Sequence, residues 1–547
     1  GQHISYANCG LPYYAGGTIA ERDRLFVMTP DKFRSWLNVD VRVATEATGF
    51  DAAARTVMLR NLATGAQTAE RYDALVLSPG AEPLRPPIPG IDTEGIYTLR
   101  SVPDVDAIRK RLDEKRPERA VVIGGGFIGL EMAENLHERG CFVTVVEALD
   151  QVMNPLDPEM AAMVHHQLKA KNVELYLGDG VSSFERKGSR VLVKLSSGAE
   201  LPSDMVILSI GVRPDTAFAR ASGVACAPNG AILVDERMRT NLDGVYGLGD
   251  AAAFNHPILG KALGVPLAGP ANKQARVVAE SIVRGDASDR VWKGAIGTSI
   301  AKVFDIVAAS TGVAQKVLEK NGIAAASMVT HGSSHAGYYP GALPLTIKTV
   351  FDPLSGRLYG AQVVGYEGVD KRIDLLAEAV RRGASVTELA EIEHAYAPPF
   401  SSAKDPVNIA GMAAENLLAG LTKVAGWKDV SRLKDEGAFL LDVRSADEFA
   451  LGSIPGARNI PVDELRSRLS EVPRDVPVLA FCGVGLRGYL AERVLRQRGW
   501  TEVMNLSGGY KTWELATEKQ SNTGIYQPGM AGLDRKSTRL NSSHRIR

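Results

Sequence analysis

The sequence predicts an α/β chain: two units of one doubly wound plan, the first incomplete, then an α+β unit, then a small α/β domain. Three observations predict it. The first is Val121–Glu147, VVIGGGFIGLEMAENLHERGCFVTVVE, where an apolar run from Ala120 to Ile123 leads into Gly124, Gly126 and Gly129 at G-x-G-x-x-G spacing. A helical stretch bearing Leu130, Ala133 and Leu136 follows, and a second apolar run from Cys141 to Val146 ends on Glu147. The second observation is an internal repeat. Thr56–Leu62, Gly65 and Tyr72–Gly80 (YDALVLSPG) share the plan of Arg190–Leu195, Gly198 and Asp204–Gly211 (DMVILSIG), each a hairpin and then an apolar strand ending in glycine. The third is a change of pattern near Lys302 and another near Trp427.

The glycine stretch is a Rossmann-like dinucleotide-binding unit. Gly124 permits the tight turn, Gly126 lets the backbone approach a pyrophosphate, and Gly129 lets the helix pack on the strand, so the helix start faces two phosphates. Glu147, about 20 residues on, stands where an acid accepts hydrogen bonds from an adenosine ribose and repels a 2′-phosphate, which favours NADH over NADPH. Stepping back from Gly80 by the Gly124–Gly211 interval lands before residue 1. The expectation is therefore that the first copy lacks its own strand and glycine loop, that the absent piece would hold a flavin pyrophosphate, and that the chain is an N-terminally truncated fragment which binds FAD poorly and leaves Leu75 and Leu77 uncovered. A doubled plan of this kind suits a flavoprotein with a nicotinamide site.

In chain order, residues 1–100 form the first part of the FAD-binding domain, ending on Gly80 and its following loop. Residues 101–232 form the NADH-binding domain, entered by a helix over Val105–Leu112. Within it, Asp157-Pro158 places an N-cap acid before a proline at the first helical position, and Met160, Met163, Val164 and Leu168 mark an amphipathic helix. The strand Val173–Leu177 and the hairpin follow. Residues 233–301 return to the FAD-binding domain, with Val245–Asp250 (VYGLGD) as a short strand ending on an acid and Pro270–Val283 as a helix. Residues 302–420 are the α+β unit, with strand-like runs Lys302–Ala309, Leu343–Val350 and Tyr359–Val364 and helices Lys371–Arg382 and Val407–Leu418. A glycine-containing linker, Gly420–Gly426, opens the last domain, 427–517, with strands Phe439–Val443, Val478–Phe481 and Val503–Leu506 and a helix over Gly488–Gln497. Residues 518–547 read as a disordered tail, and DRKSTRLNSSHRIR from Asp534 as translated adaptor or vector sequence.

With 547 residues the chain is long enough for three or four domains. Zero formal net charge and 23% charged residues give no nucleic-acid signature. No apolar run approaches the ~18 residues of a membrane span. Four scattered cysteines, Cys9, Cys141, Cys226 and Cys482, suit neither a disulfide framework nor a metal site, and a reducing cytoplasm fits them best. Cys141 begins a core strand and Cys226 lies in a glycine-proline loop, both structural positions.

On composition alone Cys9, glycine-flanked before a turn-rich stretch, reads first as an inert buried thiol. Its motif and six others, SYANCGLPYYAGG, LSPGAEPLRPPIPG, VVIGGGFIGLEMAENL, DQVMNPLDPEM, VYGLGDAA, VPLAGPANKQAR and YAPPFSSAKDPVN, spread over residues 5 to 408. Together they resemble the single-cysteine branch of the flavin disulfide reductases, which contains coenzyme A-disulfide reductases, coenzyme A-persulfide or polysulfide reductases, and NADH oxidases and peroxidases. Dithiol members carry C-x-x-x-x-C, but the position five after Cys9 is Tyr14, so a lone thiol must cycle through a mixed disulfide, a persulfide or a sulfenic acid. The resemblance implies a homodimer in which Cys9 attacks the substrate disulfide beside the flavin. By the same resemblance Ser5, Asn8, Arg22 and Lys404 contact coenzyme A, and Asp250 holds the flavin ribityl chain. Tyr338 and Tyr396 then act across the dimer, a phenol giving its proton to the departing thiolate. GYYPGA offers Tyr339 as a competitor to Tyr338.

Cys482 lies in VLAFCGVGLRGYLAERVL, where strand, cysteine, glycine loop and helix are contiguous, so backbone N–H groups and a helix start converge on the sulfur. A thiol at ~8.5 is only about 3% thiolate at pH 7, and such surroundings lower that pKa. LLDVRSADEF, IPGARNIP, the cysteine loop and LSGGYKTW resemble a rhodanese, a sulfurtransferase domain, over residues 427 to 515. Arg487 closes the loop, four residues separating it from Cys482, one fewer than cysteine phosphatases use. Ser453 stands where many rhodaneses have histidine.

The reading is an FAD enzyme carrying electrons from NADH to Cys9, where coenzyme A persulfide, coenzyme A disulfide or polysulfide is reduced, with the rhodanese domain handling sulfane sulfur. That fusion favours persulfide, since coenzyme A disulfide contains no sulfane sulfur. An NADH oxidase or peroxidase using Cys9 as a sulfenic acid is the enzymatic alternative, and a redox-sensing scaffold the non-enzymatic one.

Overall fold

A strand apolar on both faces must be covered on both, and a parallel sheet flanked by helices does this. The computed structural model describes residues 2–518; the expected tail, with its basic run from Asp534, lies outside them. In the middle of the chain the strands Ile96–Tyr97, Met205–Leu208, Arg119–Ile123, Phe142–Glu147 and Glu174–Leu177 form one sheet in that order, every pair parallel. Val122, Val145 and Ile207 are fully buried within it, beneath Leu130 and Leu136 of the Phe127–Glu138 helix. The predicted hairpin is an antiparallel ribbon, Val181–Lys187, Arg190–Leu195 and Glu200–Ser203.

The first repeat gives a matching ribbon, Thr45–Asp51, Thr56–Asn61 and Gln67–Arg71. Its apolar strand, Leu75–Leu77, pairs in parallel with Val245–Gly247, which joins the two distant stretches of chain. Leu77 is not uncovered as expected: it packs with Phe50, Ile232 and Val245. The exposed residue of that strand is Val76. The short Leu11–Gly16 helix lies so close to the Phe127–Glu138 helix that a Cβ on Gly16 would sit 1.9 Å from Asn135 Oδ1.

The α+β unit is an antiparallel sheet in the order Ser299–Val303, Ile306–Gly312, Leu358–Gly365, Pro344–Phe351 and Ala326–Ser333. The single run expected over Lys302–Ala309 is instead a hairpin, because Phe304 takes a left-handed turn (φ 55°) and Val303 pairs with Ile306. Helices Val369–Arg382 and Pro406–Leu418 bury Ile373, Leu376, Val407 and Ala410 against the sheet.

The last domain is a five-stranded parallel sheet, Val424–Ala425, Val503–Leu506, Val478–Phe481, Phe439–Asp442 and Arg458–Asn459. The stretch read as a linker is part of it: Val424–Ala425 is the sheet's edge, and the buried Glu492 carboxylate accepts from Thr422 Oγ1 and from Lys423 N at 2.7 Å. The domain docks on the rest of the chain. Val329 N–H donates to Ser507 Oγ at 3.0 Å, His331 bridges Thr346 and Thr512 at 2.9 and 2.8 Å, and Trp427 Nε1 donates to Glu159 at 3.1 Å. Beneath that tryptophan the buried Lys348 ammonium lies between Asp157, at 2.9 Å, and Glu159.

Candidate active site

Cys9 sits on a 3₁₀ turn, Asn8–Gly10, at the entrance to the Leu11–Gly16 helix, and its thiol is exposed and free. Backbone bonds from Ala7 N to Leu25 O (2.8 Å) and from Val27 N to Ser5 O (3.1 Å) lay this turn alongside Arg22–Leu25. Ser5, Asn8, Cys9 and Arg22 thus share one locality. Arg22 is already occupied there, donating to Asp106 at 2.9 and 2.7 Å while its guanidinium stacks 5.2 Å from the Phe26 ring. Tyr14, at the position of a second cysteine, is buried, with Arg109 5.3 Å over its ring and Arg109 Nη1 donating to Tyr14 O at 2.6 Å. One residue earlier, Tyr13 donates to Glu131 at 3.3 Å, and burial with that carboxylate pushes its phenol up to about 12. Sequence reasoning missed Tyr13, Glu131 and Asp106, since their partners lie far along the chain.

In the glycine loop, a Cβ on Gly124 (φ 104°) would lie 2.3 Å from Ser209 O and one on Gly129 1.9 Å from Gly124 O. Only glycine fits either place. A Cβ on Gly126 would meet nothing within 4 Å, and no side chain caps the helix that it begins. Its first N–H groups therefore face open space, as an anion cradle requires. Glu147 ends its strand beside this loop, Oε2 accepting from Gly125 N at 2.7 Å and Oε1 from Leu149 N at 2.9 Å.

Gly80 (φ 76°) follows the Leu75–Leu77 strand, and a Cβ there would approach Arg100 Nη2 to 3.2 Å. Arg100 in turn reaches Asp250 Oδ2 at 3.4 Å. Asp250 lies in a 3₁₀ turn, Gly249–Ala251, and not at the end of a strand. The buried Gln274 amide fixes that turn through Gly249 N at 2.8 Å.

Tyr338 and Tyr396 come from loops far apart in sequence, and their hydroxyls meet at 2.7 Å. Tyr339 turns away and packs edge-on against His335. Lys404, on the Tyr396 loop, is exposed beside the buried Asp405. Among the described residues no hydrogen bond or ion pair joins the phenol pair to the Cys9 group of the same chain.

Cys482 is buried at the end of the Val478–Phe481 strand, and Gly485 N–H reaches its sulfur at 3.2 Å. The far side of the loop is backbone: Tyr510 N donates to Cys482 O at 2.7 Å and Lys511 N to Gly483 O at 3.0 Å. A Cβ on Gly509 would fall 2.4 Å from Cys482 O, so glycine is required at that crossing. Arg487 forks onto Glu448 at 2.7 and 2.6 Å, and this pairing holds the Glu448 carboxyl down to about 2. Ser453 is satisfied: its hydroxyl donates at 2.6 Å to the buried Asp442, which also holds Arg444.

Comparison with known proteins identifies the domains that carry these sites. A pyridine nucleotide-disulphide oxidoreductase model matches residues 1–275, its dimerisation domain matches 298–406, and a rhodanese-like domain matches 427–516. The coenzyme A disulfide reductase of Staphylococcus haemolyticus is 34% identical over 414 residues, 76% of this chain and 92% of that protein. The structure of reduced Bacillus anthracis CoADR-RHD superposes with a TM-score of 0.92 at 45% identity, covering 94% of this chain and 92% of that one. An NAD-dependent persulfide reductase from A. fulgidus gives a TM-score of 0.86 at 36% identity and covers 94% of each chain. The chain belongs to the pyridine nucleotide-disulphide oxidoreductase family, and joins that enzyme to a rhodanese-like domain.

Proposed function

We propose that the protein is a homodimeric reductase in which NADH supplies electrons to Cys9 for the cleavage of sulfur–sulfur bonds in coenzyme A persulfide, coenzyme A disulfide or polysulfide, while Cys482 carries sulfane sulfur. The observation that supports this most is one exposed thiol, with buried Tyr14 where a second cysteine would stand, in the same chain as a loop-held Cys482. Enzymes of this family bind FAD and a nicotinamide nucleotide. The residues here suit the nicotinamide nucleotide, and Gly80 and Asp250 suit the ribityl part of the flavin. Gly124, Gly126 and Gly129 leave the helix start open to a pyrophosphate, with Glu147 beside it. Asp250 has one long contact, at 3.4 Å, and so has acceptors to spare for ribityl hydroxyls near Gly80. FAD, when bound, supplies the two-electron relay between nicotinamide and sulfur.

The thiolate of Cys9 attacks a substrate disulfide, forming Cys9–S–S–CoA and expelling coenzyme A thiolate. Two electrons then return Cys9 to its thiolate and release the second coenzyme A thiolate. Each departing thiolate takes a proton from the Tyr338–Tyr396 pair of the partner protomer, and the phenolate recovers one from water. With the persulfide, attack on the coenzyme A-bound sulfur expels hydrosulfide in place of the first thiolate. Ser5, Asn8 and Lys404 hold the coenzyme A, and Arg22 joins them if a phosphate displaces Asp106. Arg487 holds the Cys482 loop closed around a persulfide.

The test is NADH oxidation by the flavin-loaded enzyme with coenzyme A persulfide, coenzyme A disulfide, polysulfide and oxygen in parallel. Cys9→Ser is expected to abolish reduction of every sulfur acceptor while NADH still bleaches the flavin. Cys482→Ala is expected to spare diffusible coenzyme A persulfide and lose only sulfur drawn from thiosulfate. Oxygen turnover faster than every sulfur acceptor would overturn the proposal.

A further inference from the structure

We propose that Arg372, Asp405 and Ser401 form a buried clasp that positions the Tyr338–Tyr396 phenol pair by tying together the two loops that carry it. The proposal rests on the reading of those phenols as proton donors to the departing thiolate.

The phenols do not hold themselves in place. Within one protomer Tyr338 is 75% exposed and Tyr396 48%, so little of their own chain surrounds the bond between their hydroxyls at 2.7 Å. Within the protomer, the loops beneath set where the two hydroxyls lie.

That backbone converges on one guanidinium. Arg372, on the Val369–Arg382 helix, is 1% exposed. Its Nη2 donates to Ser334 O at 2.8 Å, on the loop leading to Tyr338, and to Asp405 Oδ2 at 2.7 Å, on the loop leaving Tyr396. Nε reaches Asp405 Oδ1 at 3.3 Å, and Nη1 donates to Gly368 O at 3.1 Å. Asp405 has no exposed surface and also accepts from Ser401 Oγ at 2.6 Å and Val407 N at 3.0 Å. The circuit closes through backbone, Ala336 N donating to Ser401 O at 3.0 Å. The Tyr338 loop is thus fixed at Ser334 and Ala336 and the Tyr396 loop at Ser401 and Asp405. Lys404, next to Asp405, is carried by the same clasp.

A buried ion pair is a poor way to gain stability, because apolar residues of equal volume do as well or better. Its advantage is geometric: a planar fork has few ways to satisfy a carboxylate and a carbonyl at once. Burial alone would raise the Asp405 carboxyl, but Arg372, Ser401 and the Val407 N–H outweigh it and hold the group below the usual carboxylate range. The clasp therefore stays charged through neutral pH. A general acid displaced by about 1 Å loses much of its effect, which makes these three positioning residues.

The test uses the full-length, flavin-loaded enzyme. Ser401→Ala removes one donor from Asp405 and leaves the Arg372 pair; Arg372→Lys keeps the charge and loses the fork. We expect kcat for coenzyme A disulfide to fall about fivefold in the first and about fiftyfold in the second, with KM for NADH unchanged. In a Tyr338→Phe, Tyr396→Phe background, Ser401→Ala should cost no further kcat, because both phenols it positions are gone. A second readout needs no flavin: photo-oxidative coupling of Tyr338 to Tyr396 as dityrosine, mapped by peptide mass spectrometry, should drop in Ser401→Ala. If Arg372→Lys does not fold, Ser401→Ala carries the test. A full additive loss of kcat on top of the double tyrosine variant, or an unchanged dityrosine yield, would overturn the clasp. Should Tyr396→Phe itself cost no turnover, the proton-donor reading falls, and the dityrosine yield still decides the clasp.

Discussion

The carboxylate of Glu147 is committed to the backbone before any coenzyme arrives, with Gly125 N–H on one oxygen and Leu149 N–H on the other. Each oxygen keeps a second lone pair for ribose hydroxyls, so the residue both shapes the glycine loop and reads the sugar. An amide has only one acceptor oxygen, and its NH2 would face an N–H. Glu147→Gln is therefore expected to raise KM for NADH about tenfold, since a hydrogen bond to a charged acceptor is worth about 1.5–3 kcal/mol. Glu147→Ala with Ala148→Arg should turn preference toward NADPH, because the 2′-phosphate then meets a cation in place of an anion. Steady-state kinetics with both coenzymes checks this, and unchanged preference would place coenzyme selection elsewhere.

Elements whose signal is local could be read in the sequence, and those whose partners are distant could not. The Val478–Phe481 and Val503–Leu506 strands fall where the apolar runs place them, and Asp157 and Pro158 mark the start of the Pro158–Ala170 helix. Yet the Asp157 side chain does not cap its own helix. It accepts from Gln315 N and Lys316 N at 3.1 and 3.0 Å, the start of another helix, and lies against Lys348. No window of sequence contains that information. The Ala326–Ser333 strand leaves no clear sequence signal because its burial is mixed along its length, nor does the Phe304 turn, because an apolar residue rarely takes φ above zero. At the Cys482 loop, cysteine and arginine were readable while Glu448, brought in by the Ala446–Ala450 helix, was not. Arg487 depends on it for direction. Glu448→Ala should lower thiosulfate sulfur transfer about tenfold, and Arg487→Lys at least as much, because an ammonium cannot reproduce the fork. The Glu448 carboxyl is depressed to about 2, so the pair persists as pH falls through the ordinary carboxylate range near ~4.3 and is lost only toward 2. A sulfur-transfer profile of the wild-type enzyme should thus show no inflection from this group above about pH 4, and one near ~4.3 would count against the pairing.

Across the whole molecule, the sulfurtransferase domain is seated on the dimerisation sheet through His331, which is buried between Thr346 and Thr512. Burial, and after it the nearby Lys511 charge, lowers the imidazole to about 3. A free imidazole titrates near ~6.5. Above that value the ring is neutral whether the domain is docked or released, and docking does not depend on it. Below it the released state takes up a proton that the docked state refuses, so docking weakens by up to about tenfold per pH unit between about 6.5 and 3. Asp157 at the same junction is held below the usual carboxylate range and adds its own loss only below about pH 4, which leaves pH 6.5 to 4.5 as a window for the histidine. Hydrogen exchange of the Val329 N–H, which donates to Ser507 across the junction, should, after correction for its intrinsic pH dependence, be constant above pH 7 and accelerate through that window. His331→Gln keeps hydrogen-bonding capacity toward both threonines without a titrating group, and should flatten the response. A response that persists in His331→Gln would mean that the junction opens through another group.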